Sequence, residues 1–257
     1  MDFKFAAQLY SVREEFAKDC EGTIKELNIM GFNAVQLDGM RGNEPLEVKR
    51  ILNKYKMEVA GMHIKHDRFL NDLDGIVEEA YLFGCKDIYC KYIEDEYQNI
   101  DGYKLTKNVL LEAAKKLSSL GFRIGLHNPE YDFNNSIDGR YVMDYITDPE
   151  YGISIYPEAD TYWLSVAGHN PVEYIKKYSG RMPIIHLKDY KNGFNPNDMD
   201  NNLKEIGNGD IDFLSILRWG NENGIEYYCI EQDRSQIGIL NSFKISLDYI
   251  TNLSKQL

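Results

Sequence analysis

Several apolar runs in this chain end on a residue that can hold a cation or move a proton. In order they end on Gln8 in "FAAQLY", Asp38, His63 in "MEVAGMH", Lys91 and His127 in "GLHNPEYDF". Then come Glu158 and Asp160 in "GISIYPEAD", His186 and Lys188 in "MPIIHLKD", and Glu231 and Asp233 after "YYCI". Three of the five histidines fall in this set. Imidazoles and carboxylates converging on one rim would suit a divalent metal such as Mn, Zn, Co or Mg. The pattern is strongest at Asp160, His186 and Glu231. The residues leading into His186 and Glu231 are apolar, and a charged group closing a buried strand is costly unless paired or metal-bound.

The elements that must position these residues recur along the chain. An amphipathic helix, a glycine and a short β-rich run follow one another at "LNIMGFNAVQL", "YLFGCKDIYC", "SSLGFRIGLH" and "NENGIEYYCIE". Each glycine fits the left-handed position that ends a helix, so each copy reads as a helix-to-strand joint. With "FAAQLY", "MEVAGMH", "GISIYPEAD" and "MPIIHLKD" the count of strands reaches eight. Helical periodicity fills the gaps, as in "YKLTKNVLLEAAKKLSSLG", where Leu105, Val109, Leu110, Ala113, Leu117 and Leu120 share a face. Alternating strands and helices imply a parallel sheet with right-handed crossovers. No glycine-rich phosphate loop follows the first strand, which disfavours an open doubly wound sheet. The expectation is an α/β fold, a (β/α)8 TIM barrel forming a single domain over residues 1–257. Its active site would lie at the C-terminal ends of the strands.

A net charge of −12 and a pI near 4.9 oppose nucleic-acid binding, which requires clustered Lys and Arg. No apolar run approaches the roughly 20 residues of a membrane span, and "MDFKFAAQLY" does not read as a signal peptide. A cytoplasmic protein is expected, with no membrane partner. Cys20, Cys85, Cys90 and Cys229 form no CxxC pair and read as reduced core thiols.

The segments "AAQLYSVR", "HNPEYDF", "EADTYWLSVAGHNPVEYIKKYSGRMPIIHLKD", "IGNGDIDF" and "IEQDR" together resemble the sugar phosphate isomerase/epimerase family of xylose isomerase-like TIM barrels. The resemblance covers nearly the whole chain. It implies one divalent metal held by Glu, Asp, His and Glu from strands 5 to 8. Carried over by position, Asp160, His186 and Glu231 take the last three roles. At strand 5 the sequence departs from the family: His127 fills the usual glutamate position, and Asp132 stands where a branch carrying "HNHDFEF" has a late glutamate. His127 and Asp132 therefore compete as fourth ligand.

The resemblance further implies proton transfer next to a carbonyl of a sugar or keto sugar, that is, a metal-dependent isomerase or epimerase. Glu231 would act as base and ligand, Asp132 would be a candidate second carboxylate, and Lys188 would donate to a substrate oxygen. His63, Trp163, Asn128 and Arg234 are the expected substrate contacts. The loss of a strand 5 glutamate weakens a two-base epimerase and leaves β-elimination on a 3-keto sugar or inosose as the alternative. A non-catalytic sugar-binding barrel is a further alternative. Arg13, Arg68 and Arg234 lie near strand ends, but no glycine-rich nest supports a phosphate site. The expected partner is a small-molecule carbohydrate, and self-association into a homo-oligomer stays open.

Overall fold

The computed structural model describes residues 3–257. Eight parallel strands are β1 (Phe5–Gln8), β2 (Ala34–Leu37), β3 (Glu58–Ile64), β4 (Asp87–Cys90), β5 (Arg123–His127), β6 (Tyr156–Glu158), β7 (Ile184–Leu187) and β8 (Tyr227–Ile230). Their hydrogen-bonded order is β6-β5-β4-β3-β2-β1-β8-β7. The remaining gap, between β6 and β7, is spanned by a parallel bridge between Asp160 and His186 and by His186 N–H donating to Ala159 C=O at 2.9 Å. The result is a nearly closed TIM barrel in one α/β domain.

The helices that follow the strands are α1 (Cys20–Met30), α2 (Pro45–Lys54), α3 (Leu73–Phe83), α4 (Ile100–Leu117), α5 (Val142–Thr147), α6 (Thr161–Val166), α7 (Phe213–Asn223) and α8 (Ile239–Ser254). Gly31, Gly84, Gly121 and Gly224 end their helical segments with φ of 114°, 67°, 87° and 88°. These are the four joints read from sequence, and each turns the chain from the outer ring into a strand. Among the described residues no helix is long and apolar enough to cross a membrane. All four cysteines are buried and free.

Two sequence expectations shift on folding. The run "GISIYPEAD" supplies only three strand residues, because the chain turns at Asp160 to start α6. In α4 the buried face runs through Tyr103, Thr106, Lys107, Leu110, Ala113, Ala114 and Leu117, while Leu105 and Leu120 are exposed. The helix is rotated relative to the aliphatic stripe, because the Tyr103 ring and the Lys107 stem also cover apolar surface.

The main core lies between the strands and the helices, and a smaller cluster of Ala6, Ala34, Ala60, Tyr89, Ile184 and Cys229 fills the barrel interior. Small residues there leave room for the Tyr89 ring. At Gly125 a Cβ would sit 2.3 Å from that ring and 2.4 Å from Tyr156 C=O, so only glycine allows the approach.

Candidate metal centre and active site

Above the apolar plug, the inward-facing positions of β1, β2, β3, β6 and β7 are polar and linked. Gln8 Nε2 donates to Gln36 Oε1 at 2.8 Å and to His63 Nδ1 at 3.3 Å. Gln36 Nε2 donates to Glu158 Oε1 at 2.6 Å, and His63 Nε2 donates to Glu158 Oε2 at 2.5 Å. His186 Nε2 donates to Gln36 Oε1 at 2.6 Å. Donors and acceptors alternate without conflict in this arrangement. Burial lowers the His63 pKa to about 4, which keeps the ring neutral with its proton on Nε2. Burial opposes the charge on Glu158, but His186 and His63 hold its pKa well below the usual range.

This buried layer adjoins a second cluster and orients one of its members, His186. His127, Asp160, His186 and Glu231 each offer one ligand atom, all within 4.8 Å of one another. Three of them have their other polar atom tied elsewhere. His127 Nδ1 donates to Lys91 C=O at 3.3 Å, which leaves Nε2 as the acceptor. Asp160 Oδ1 caps α6, accepting from Tyr162 and Trp163 N–H at 2.8 and 3.2 Å, which leaves Oδ2. Gln36 holds His186 Nε2–H, so Nδ1 is the atom that faces Glu231 Oε2, at 2.7 Å.

His127 Nε2 and Asp160 Oδ2 are buried without a hydrogen-bond partner, 3.7 Å apart. Lys188 Nζ lies 3.0 Å from Asp160 Oδ2 outside hydrogen-bonding geometry, so that contact is one of charge only. The same ammonium is 3.2 Å from Glu231 and 3.1 Å from Asp233. One lysine thus faces three carboxylates, a negative surplus that a divalent cation would balance. Two inward-facing imidazole nitrogens and two carboxylates, with one atom of each kind lacking a hydrogen-bond partner, fit such an ion.

The electrostatics follow from this crowding. Burial works against the Asp160 and Glu231 charges, yet Lys188, with His127 at the first and His186 at the second, holds both pKa values below the ordinary range. Burial would also lower Lys188 and His186, but Asp160, Asp233 and Glu231 raise the first and Glu158 with the Cys229 thiol raises the second, both well above their usual values. Asp233 behaves differently: burial outweighs Lys188 and lifts its pKa to about 6.

A cleft of about 430 Å³ opens onto the cluster, with Glu231, His127, Lys188, Asp233, His63 and Trp163 in its wall. Trp163 lies beside Lys188, whose ammonium is 5.4 Å from its ring. The other residues expected at the site sit elsewhere. Asn128 is fully buried, its Oδ1 accepting from Asp160 N–H at 2.8 Å, so it anchors the ligand's backbone. Arg234 is exposed and pairs with Asp200 at 3.1 Å, over neighbouring depressions. Asp132 lies in a short helix, Tyr131–Asn134, and is not part of the cluster. Its carboxyl is fully buried with neither oxygen partnered, and burial, with Glu130 nearby, pushes its pKa well up. Lys188 pairs with Asp233. Asp189 instead accepts backbone N–H groups from Gly207, Gly209 and Ile211, and so folds the "IGNGDID" segment.

Gln36 carries no role in the sequence reading, yet it joins Gln8, Glu158 and His186. Its signal was an amide inside the apolar strand "AVQL". A register shift after Val35 sets it opposite Gly61, where a Cβ would come within 3.0 Å of its amide. Glu158 had been read only as a rim residue; it is the acid at the centre of the network.

Neither the family models nor the curated proteins gave a match to this sequence. Solved structures do match. A sugar phosphate isomerase/epimerase from Parabacteroides distasonis superposes with a TM-score of 0.79 at 18% identity, over 96% of this chain and 97% of that one. The IOLI protein with a bound zinc atom gives a TM-score of 0.75 at 13% identity, over 99% of both chains. A probable 3-DHS dehydratase, AsbF, from Bacillus anthracis gives 0.75 at 10% identity, over 97% of this chain and 99% of that one. This chain shares the fold of the sugar phosphate isomerase/epimerase and xylose isomerase-like TIM barrels.

Proposed function

We propose that this protein is a divalent-metal-dependent enzyme that moves a proton next to a carbonyl of a sugar or keto sugar. The observation that carries the reading is the pair of orphaned, inward-turned atoms, His127 Nε2 and Asp160 Oδ2, beside His186 and Glu231 at the floor of the cleft. These four residues would hold the metal. When bound, a divalent metal supplies Lewis acidity that polarises the carbonyl and lowers the acidity barrier at the neighbouring carbon.

Glu231 is the base. It is 5% exposed and lines the cleft, and the contacts from His186 and Lys188 keep it ionised, ready to accept a proton. Lys188, fixed by its carboxylates, holds a donor toward a substrate oxygen on which negative charge grows. Trp163 offers a flat face for a sugar ring. Asp132 does not line the cleft, and β5 brings His127 rather than a carboxylate into the cluster; Glu130, in the loop after β5, lines the cleft wall outside the cluster. With no carboxylate at the β5 position of the cluster, chemistry on one face, aldose–ketose isomerisation, is favoured over a symmetric two-carboxylate epimerisation.

One observation favours elimination as the second reading. Asp233 stands beside Glu231 in the cleft wall, so that an acid at this place would protonate a departing hydroxyl while Glu231 takes the proton from carbon, water leaves and a C=C bond forms. The test is exchange of a substrate C–H for deuterium from solvent, followed by NMR over keto sugars and inososes with added Mn. Exchange that is lost in Glu231→Gln supports the reading, and no exchange on any compound removes it. Formation of an unsaturated product selects elimination.

A further inference from the structure

The wall of the cleft opposite the acid cluster is built from the ends of β2, β3 and β4, and its charge has the opposite sign. Lys65 and Lys91 line it together with Asp38 and Tyr10. Lys91 Nζ donates to Asp38 Oδ1 at 2.5 Å, and Asp38 Oδ2 accepts from Arg41. Asp38 is itself 1% exposed in its side chain, whereas Lys91 and Arg41 keep 21% and 32% of theirs accessible. Two cations thus share one buried carboxylate. Among the described residues, no carboxylate lies within ion-pair distance of Lys65. The other acid of this wall, Glu94, is engaged by His66 Nδ1 at 2.9 Å.

The backbone at Arg41 sets the direction of its side chain. Arg41 has φ of 51°, between Gly39 and Gly42 at 73° and 87°. Non-glycine residues seldom adopt this left-handed conformation; Lys56, Asp138 and Tyr151 share it in turns away from the cleft. Here the turn folds "DGMRG" back so that the guanidinium reaches Asp38 and the Tyr10 ring, 5.8 Å away.

We propose that Lys65 and Lys91, backed by Arg41, form an anion subsite that takes a carboxylate or phosphate group carried by the carbohydrate substrate. The proposal rests on the reading of the cleft as a carbohydrate site. In a chain of net charge −12 a local cationic surplus would draw an anionic group to this wall, while Glu231 and Asp233 repel it from the other. The substrate would therefore enter in one orientation, its anionic end toward β2–β4 and its carbonyl toward β5–β8. Lys91 adjoins the metal cluster directly, since its backbone carbonyl holds His127, so both ends lie within reach of one small molecule.

Calorimetric titration tests this with two matched pairs, fructose against fructose 6-phosphate and glucose against glucuronate. Each pair is run on EDTA-treated and on Mn-loaded protein. One anionic member should bind about tenfold tighter than its neutral partner, a difference of ~1.4 kcal/mol. The pair that shows the effect tells phosphate from carboxylate. Lys91→Gln and Lys65→Gln should each remove most of the preference, and Lys91→Arg should keep it. If Lys91→Gln fails to fold, Lys65→Gln carries the same reading, because Lys65 is exposed and its side chain makes no hydrogen bond or ion pair among the described residues. Equal binding, or no binding, of charged and neutral sugars in both metal states overturns the subsite, as does a preference untouched by either glutamine substitution. Deuterium exchange on neutral sugars with no anion preference removes the subsite alone. An anion preference without exchange on any compound removes the reaction alone.

Discussion

The two sides of the cleft solve opposite electrostatic problems with the same barrel. On the β5–β8 side, three buried carboxylates, Glu158, Asp160 and Glu231, and the part-buried Asp233 crowd around Lys188 and His186, and two ligand atoms are left without a hydrogen-bond partner. On the β2–β4 side, Arg41 and Lys91 meet at the single carboxylate of Asp38, with Lys65 beside them. One side has unmet negative charge deep in the fold, the other unmet positive charge nearer solvent. Burial separates the tasks: a desolvated acid cluster calls for a compact cation, and a half-exposed cationic wall suits the anionic end of a larger molecule.

The largest effect is expected at Glu231. Glu231→Gln should cut solvent-proton exchange by ~10²–10⁴-fold, read by NMR, while thermal unfolding stays cooperative; undiminished exchange would move the base elsewhere. Next, His127→Ala should weaken Mn or Zn binding by more than the ~10–100-fold that loss of an outer partner costs, with Asp132→Ala leaving affinity near wild type. Calorimetry giving the reverse order would transfer the fourth ligand to Asp132.

Gln36→Met keeps the volume and removes the acceptor for His186 Nε2–H, so metal affinity should fall by ~10–100-fold. No change would mean that the buried amide layer serves packing alone. The smallest effect concerns Asp132. Its folded pKa lies above the unfolded value, so the folded state binds the extra proton, and stability is lost as pH rises past the unfolded pKa. Asp132→Asn should therefore raise Tm by a few degrees at pH 8, about 2–4 °C per kcal/mol, and by less at pH 5. A gain that does not grow with pH would indicate that Asp132 is ionised and partnered.

Much of this was legible in sequence. The helix-glycine-strand joints marked four of the eight strands, and polar residues closing apolar runs named the ends that matter. Asp160, His186 and Glu231 stood out because a charged residue after "YYCI" or "MPII" has no cheap explanation. Gln36 and Arg41 did not stand out. An amide in a short strand looks like an ordinary interruption, and its partners Glu158 and His186 are 122 and 150 residues away. Arg41 sits in a loop whose left-handed turn directs it back to Asp38, and no spacing rule encodes that direction. Asn128 and Arg234 were read as cleft residues from their neighbours in sequence, but one turns inward to hold a backbone N–H and the other outward to Asp200.

The alternation of strands and helices, and which strand ends carry ionisable groups, are readable from residue order alone, because periodicity and glycine joints are local properties of the chain. Only the tertiary structure decided which nitrogen of each histidine and which oxygen of Asp160 face the cluster, because those choices are made by Gln36, Lys91 C=O and the start of α6. It also put His127 rather than Asp132 beside Asp160. The last residue of β5 is carried inward by the strand's pleat, whereas the short helix after it turns Asp132 into a buried site outside the cluster.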